Sequence, residues 1–167
     1  MRRKWTLGSG QRVFDRYVSH ILPVVEEVLP EVVQKIYIAP DDSAPLKTIS
    51  VEFDRIVGVS SIVTTTKKDD IFFAKRKNRK GLSRFVRNRV PVEVNMVTVI
   101  LKKYRDLPQY VLITAYFGTP TGPEPWGKRA TKEDNEFWNN HAFVPELQEI
   151  VAGTETEEMP EYFQKMR

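Results

Sequence analysis

The sequence contains no cysteine, only two histidines, and no apolar run approaching the roughly 18 residues that a transmembrane helix requires. Without cysteine there is no disulfide staple, thiolate-held zinc, iron–sulfur cluster or thiol nucleophile. The histidines, His20 and His141, stand 121 positions apart. Nothing local therefore points to a histidine-based metal site, and neither a metal nor a cofactor is expected. The N-terminus, Met-Arg-Arg-Lys-Trp-Thr-Leu-Gly-Ser-Gly, is basic but lacks the apolar stretch of an ordinary secretory signal. The expectation is a soluble cytoplasmic protein with no membrane partner. What is present suffices for a core: 41% of the 167 residues are hydrophobic and 11% aromatic, which excludes collagen-like, coiled-coil and low-complexity chains. Charged residues make up 29% and are of mixed sign, which argues against wholesale disorder. The length suits one domain.

The net charge is only +4, but it is unevenly laid out. Between Lys75 and Arg89 there are eight bases and no acid: Lys75, Arg76, Lys77, Arg79, Lys80, Arg84, Arg87 and Arg89. The remainder of the chain therefore carries −4. A concentrated field of one sign attracts and holds a polyanion better than the same charge spread evenly. Five of the eight are arginines, whose planar guanidinium suits bidentate phosphate contacts. The competing reading is a solvated face. From Thr131 to Arg167, nine acids stand against three bases. Residues 151–167 accordingly read as an acidic, weakly ordered tail behind a single domain at 1–150.

Hydrophobic spacing predicts helices across Gln11–Gln34, through Val13, Tyr17, Val18, Ile21 and Leu22 and then a valine stripe, with Pro23 opening a new turn and Pro30 breaking the run. The period then changes to two. Ile49, Val51 and Phe53 alternate with polar residues, and strands are expected over 57–66, 70–75, 94–102 and 110–117. Three glycines and three prolines in 118–127 mark a loop. Thr131 followed by Asp134 marks a helix start, with Phe137, Trp138 and His141 on that short helix. The fold class implied is α+β: N-terminal helices packed on a twisted antiparallel sheet of four to six strands, with a short C-terminal helix.

Three groups of residues can carry chemistry. The basic segment can bind phosphate, and Arg76, Arg79, Arg84 and Arg87 can stabilise charge on phosphorus. His141 can transfer a proton near neutral pH, against the alternative of a structural ring packed on Trp138. His20 reads as structural. On the 110–117 strand Thr114 and Tyr116 share a face, preceded on it by Leu112, and the loop beyond carries Glu124 and Trp126. A hydroxyl there can meet a phosphate or a 2′-OH, and Tyr116 or Trp126 can stack on a base. Glu124, fixed between two prolines, reads as structural more than as a base.

The stretch Phe72-Phe-Ala-Lys-Arg-Lys-Asn-Arg-Lys-Gly-Leu-Ser-Arg-Phe-Val, the hairpin Val97-Thr-Val-Ile-Leu…Tyr110-Val-Leu-Ile-Thr-Ala-Tyr and Glu124-Pro-Trp…Phe137-Trp-Asn-Asn-His-Ala together resemble a group of small bacterial and phage-associated proteins, the ribonucleases of the barnase–EndoU–colicin–RelE type, over about Asp70 to Val144. The resemblance implies metal-independent RNA cleavage and an acidic inhibitor or immunity protein as partner. By matching position it puts Arg76, Arg79 or Arg84 on phosphate, Thr114 and Tyr116 on the cleft strand, and His141 on proton transfer. The expectation is then a toxin-like endoribonuclease in which the 2′-OH attacks the adjacent phosphorus and leaves a cyclic phosphate. Its catalytic set is His141, Arg76, Arg79, Thr114 and Tyr116. RNA is bound by Lys75, Lys77, Lys80, Arg84, Arg87, Arg89 and Trp126. Two other readings stay open: a non-catalytic nucleic-acid-binding module, and a protein-interaction domain whose basic segment docks an acidic partner or its own tail.

Overall fold

A computed structural model describes residues 4–15, 23–105 and 109–164. These form two compact units, Met1–Val59 with Glu93–Pro120 and Ser60–Val92 with Thr121–Arg167. His20 lies outside the described residues.

The first unit is built on a five-stranded sheet in the order β1-β2-β10-β9-β3. These strands are β1 (Lys4–Thr6), β2 (Arg12–Asp15), β3 (Leu46–Glu52), β9 (Met96–Lys103) and β10 (Tyr110–Phe117). The two longest, β9 and β10, pair antiparallel, whereas β2 joins β10 in parallel. The core face carries Val51, Val97, Val99, Leu101, Leu112 and Ala115, packed with Leu29, Val32, Ile36 and Ile38. Two short helices supply part of that cover, α1 (Pro23–Glu26) and α2 (Leu29–Gln34). Strands β4 (Gly58–Ser60) and β8 (Val92–Val94) lie where the chain passes between the units.

The second unit holds a four-stranded sheet in the order β5-β11-β7-β6, formed by β5 (Ile62–Thr64), β6 (Ile71–Lys75), β7 (Leu82–Val86) and β11 (His141–Phe143). One face buries Phe72, Phe85 and Phe143 with Trp138, and the other buries Val63, Val86 and Ala142. The alternation of strand side chains explains the split, because Phe85 pairs with Phe143 while Val63 pairs with Ala142. Helix α3 (Lys132–Asn140) begins at Thr131, whose hydroxyl accepts from the Asp134 N–H while the Asp134 carboxylate accepts from the Thr131 N–H, a reciprocal capping box. The indole N–H of Trp138 donates to the Gly122 carbonyl at 3.1 Å and pins the helix to the preceding loop. Helix α4 (Glu161–Gln164) places Phe163 in the aromatic core at 2% exposure. Before it, the chain lies along the outer edge of β6: Phe73 and Thr156 exchange two backbone hydrogen bonds, and Val151 donates to the Lys75 carbonyl.

The expected α+β fold of N-terminal helices on one antiparallel sheet is overturned. Among the described residues strand outweighs helix, divided among three sheets with parallel pairings at β2–β10 and β7–β11, and the four α-helices are short. The predicted helical region begins with a strand, because β2 gains ladder hydrogen bonds on both sides, from β1 and from β10. Pro30 stands in the first turn of the six-residue α2, while Tyr17, Val18, Ile21 and Leu22 lie outside the described residues. His141 also differs from its expected place. It ends α3 with extended backbone (φ −132°, ψ 155°) and opens β11.

Candidate functional site

The basic segment folds into a β-hairpin. Lys75 pairs with Leu82 and Phe73 with Arg84, and residues 76–81 form the turn. Asn78 lies there at φ 63°, a left-handed conformation that asparagine tolerates better than most side chains.

Four of the eight cations, Arg76, Lys77, Arg87 and Arg89, are matched by carboxylates. Arg76 is the most enclosed of these cations. Its guanidinium donates to Glu124 Oε2 at 2.5 Å, to Ser83 Oγ at 3.1 Å and to Gln148 Oε1 at 3.4 Å, and it lies 4.2 Å from the centre of the Phe143 ring. Lys77 pairs with Glu149, Arg89 with Asp69, and Arg87 with both Asp70 and Glu157. Arg84 donates to Thr65 Oγ1 at 2.8 Å and to the His141 carbonyl at 2.9 Å. Burial pushes its guanidinium down from the ordinary arginine value, against the pull of Asp69. The Asp69 carboxyl is itself held low, first by the backbone N–H of Thr66 and then by Arg89.

His141 is held as firmly. Its Nδ1 lies 2.7 Å from the Phe137 carbonyl, a contact that only an Nδ1–H can make favourably. The neutral ring therefore presents Nε2, 3.4 Å from Thr64 Oγ1. The imidazole stacks on Phe137 with centroids 3.8 Å apart and planes at 6°. Register fixes its side of the sheet: His141 shares a face with Phe143 and hence with Phe85, while Arg84 projects from the opposite face. The contact from Arg84 reaches the backbone of His141 and not its ring.

Thr114 and Tyr116 belong to the first unit, on β10. They share a face as expected, but Leu112 does not join them. The register with β9 shifts between Leu112 and Thr114, so Leu112 sits on the core face with Ala115.

Among the described residues, the cations that carry no carboxylate partner around the hairpin turn are Lys75, Arg79, Lys80, Lys128 and Arg129. Arg79, Lys80, Lys128 and Arg129 are exposed. Three of them, Arg79, Lys128 and Arg129, line one cavity of about 370 Å³ with Pro123, Glu124, Trp126 and Gly127. Sequence reading singled out Trp126 but missed Lys128 and Arg129. The visible signal was two adjacent bases just after a Trp-Gly pair. Trp126 rests directly on Gly81, where even a methyl carbon would stand 2.2 Å from Cγ of the indole. Glu124 is 7% exposed, and its Oε1 has no hydrogen-bond partner; neither has the Trp126 indole N–H.

Among the described residues no group of three His, Asp or Glu side chains could hold a metal ion, and no helix is long and apolar enough to cross a membrane. No protein-family model, curated protein or solved structure matches the chain.

Proposed function

We propose that the second unit binds nucleic acid at the tip of the β6–β7 hairpin, as a recognition module and not as a ribonuclease. The observation that carries this reading is the group of exposed cations without a carboxylate partner, Arg79, Lys80, Lys128 and Arg129, left where Arg76, Lys77, Arg87 and Arg89 are paired within the fold. A phosphate backbone is the polyanion such a cluster holds best, and arginine adds bidentate geometry. Catalysis finds less support. Cleavage through a 2′-OH needs a proton-transfer group and a guanidinium converging on one phosphorus. Here Arg76 is committed to Glu124, and the Arg84 guanidinium and the His141 ring belong to opposite faces of the sheet.

Fluorescence anisotropy with a labelled 15-mer oligouridylate tests the proposal. Neutralising four phosphates on a single strand gives a slope of log Kobs against log salt of about −3, at about −0.7 per contact. Replacing Arg79 and Lys80 together by alanine shallows it by about 1.4. A slope near zero, or one unchanged in the double variant, overturns the reading. Scission of the oligonucleotide in excess EDTA, lost in His141→Ala, overturns the non-catalytic part of it.

A further inference from the structure

We infer that the cavity beside the hairpin tip is a subsite for one unstacked nucleobase, so that the bound polymer is single-stranded. The inference rests on the proposed binding at the same tip and adds the class of strand. A phosphate-binding surface alone needs only exposed cations, and Arg79, Lys80, Lys128 and Arg129 would provide that on a flat or convex tip. The structure adds a shallow, open depression lined by Arg79, Lys128 and Arg129 together with Trp126.

Three properties of the hollow point to a base. Its volume, about 370 Å³, falls within the roughly 300–1,000 Å³ typical of small-ligand pockets. Its wall contains Trp126 and Pro123, with Arg79, Lys128 and Arg129 around them, an arrangement that pairs an aromatic platform with phosphate-binding groups. Stacking on an indole is favourable and tolerates any base, since every base has a π-face. The platform is also rigid, since Trp126 is seated on the Gly81 backbone of the hairpin and so is placed by the same turn that presents Arg79.

The class of strand follows from stacking alone. A base inside a duplex is paired to the complementary strand and stacked between its neighbours. Only an unpaired base can leave that stack and lie on the Trp126 indole.

The test compares the 15-mer oligouridylate and an oligoadenylate of the same length with the pre-annealed duplex of the two, at matched salt across a salt series. The expected result is at least tenfold tighter binding of each single strand than of the duplex. Trp126→Ala should remove that preference while leaving the salt slope of duplex binding unchanged. Gly81→Ala, which pushes the indole off its seat without deleting it, should weaken single-strand binding in the same direction. If the duplex binds as tightly as the single strands, or if Trp126→Ala leaves the preference intact, the subsite is refuted while phosphate binding at the tip stands. If no polymer shows salt-dependent binding, the proposed function itself falls. Circular dichroism melting of both variants separates loss of the platform from loss of the fold.

Discussion

Replacing Glu124 by glutamine removes one charge from a pair that solvent barely reaches. The two side chains are 16% (Arg76) and 6% (Glu124) exposed, and their N–O distance is 2.5 Å. Arg76 keeps Ser83, Gln148 and the face of Phe143 after the substitution, but none of these carries a compensating negative charge. Breaking one side of such a pair typically costs about 3–5 kcal/mol, because an uncompensated charge stays buried. For a chain of this size about 2–4 °C of Tm accompanies each kcal/mol, so Glu124→Gln should lower Tm by about 6–20 °C. Arg76→Met combined with Glu124→Leu should recover most of that loss, since hydrophobic replacement of a buried pair is often neutral or better. Urea unfolding of the two single variants and the double variant measures the coupling. A loss below about 1 kcal/mol for Glu124→Gln would refute the burial argument. An effect of Arg76→Ala on oligonucleotide affinity as large as that of Arg79→Ala, at matched stability, would return Arg76 to the phosphate-binding role that its sequence position suggests.

Three further outcomes are expected. Thr131→Ala deletes the oxygen that caps α3 and should destabilise the fold by about 1 kcal/mol, read from the urea midpoint; no change would mean the capping box is dispensable. Replacing Glu149, Glu155, Glu157 and Glu158 by glutamine frees Lys77, leaves Arg87 with Asp70 alone and lifts the negative field beside the hairpin, so oligouridylate binding should tighten and its salt slope steepen; equal affinity would show that the acidic segment has no influence on the tip. Asp42 is held below its ordinary value, first by the Lys47 ammonium and then by the Ala44 N–H. The unfolded state therefore binds the proton more readily, and the contribution is complete above the ordinary aspartate value and lost as pH falls through the lowered one. The urea midpoint should decline through that acid range, and less steeply in Asp42→Asn; identical profiles would disprove the linkage.

Local chemistry was legible in the sequence where it was self-contained. The apolar run Tyr110–Phe117 marks a strand with those bounds, and Thr131 with Asp134 marks the start of α3. Long-range pairing was not. Arg76 looks like every other cation in its run, and the acid that immobilises it lies 48 positions away; the second acid on Arg87 lies 70 away. The density of charge also concealed β7, whose Leu82, Phe85 and Val86 supply core residues among arginines. At the N-terminus, helical spacing was outweighed by strand partners far along the chain. On β10 a single irregularity turned Leu112 away from Thr114, and nothing in its composition announces that.

The order in which these pieces leave a ribosome follows from the last strand contact of the second unit. Thr156, which closes the rim of β6, is synthesised 83 positions after its partner Phe73. The first unit has all its residues once Pro120 is made, but the second then still lacks α3, β11 and the rim segment. Throughout that interval Phe72 and Phe73 sit on a strand with one open side, the kind of template on which nascent chains join one another. A transcript cut short ahead of codon 149 would leave that side permanently bare and should yield insoluble product, whatever happens to ligand recognition at the hairpin.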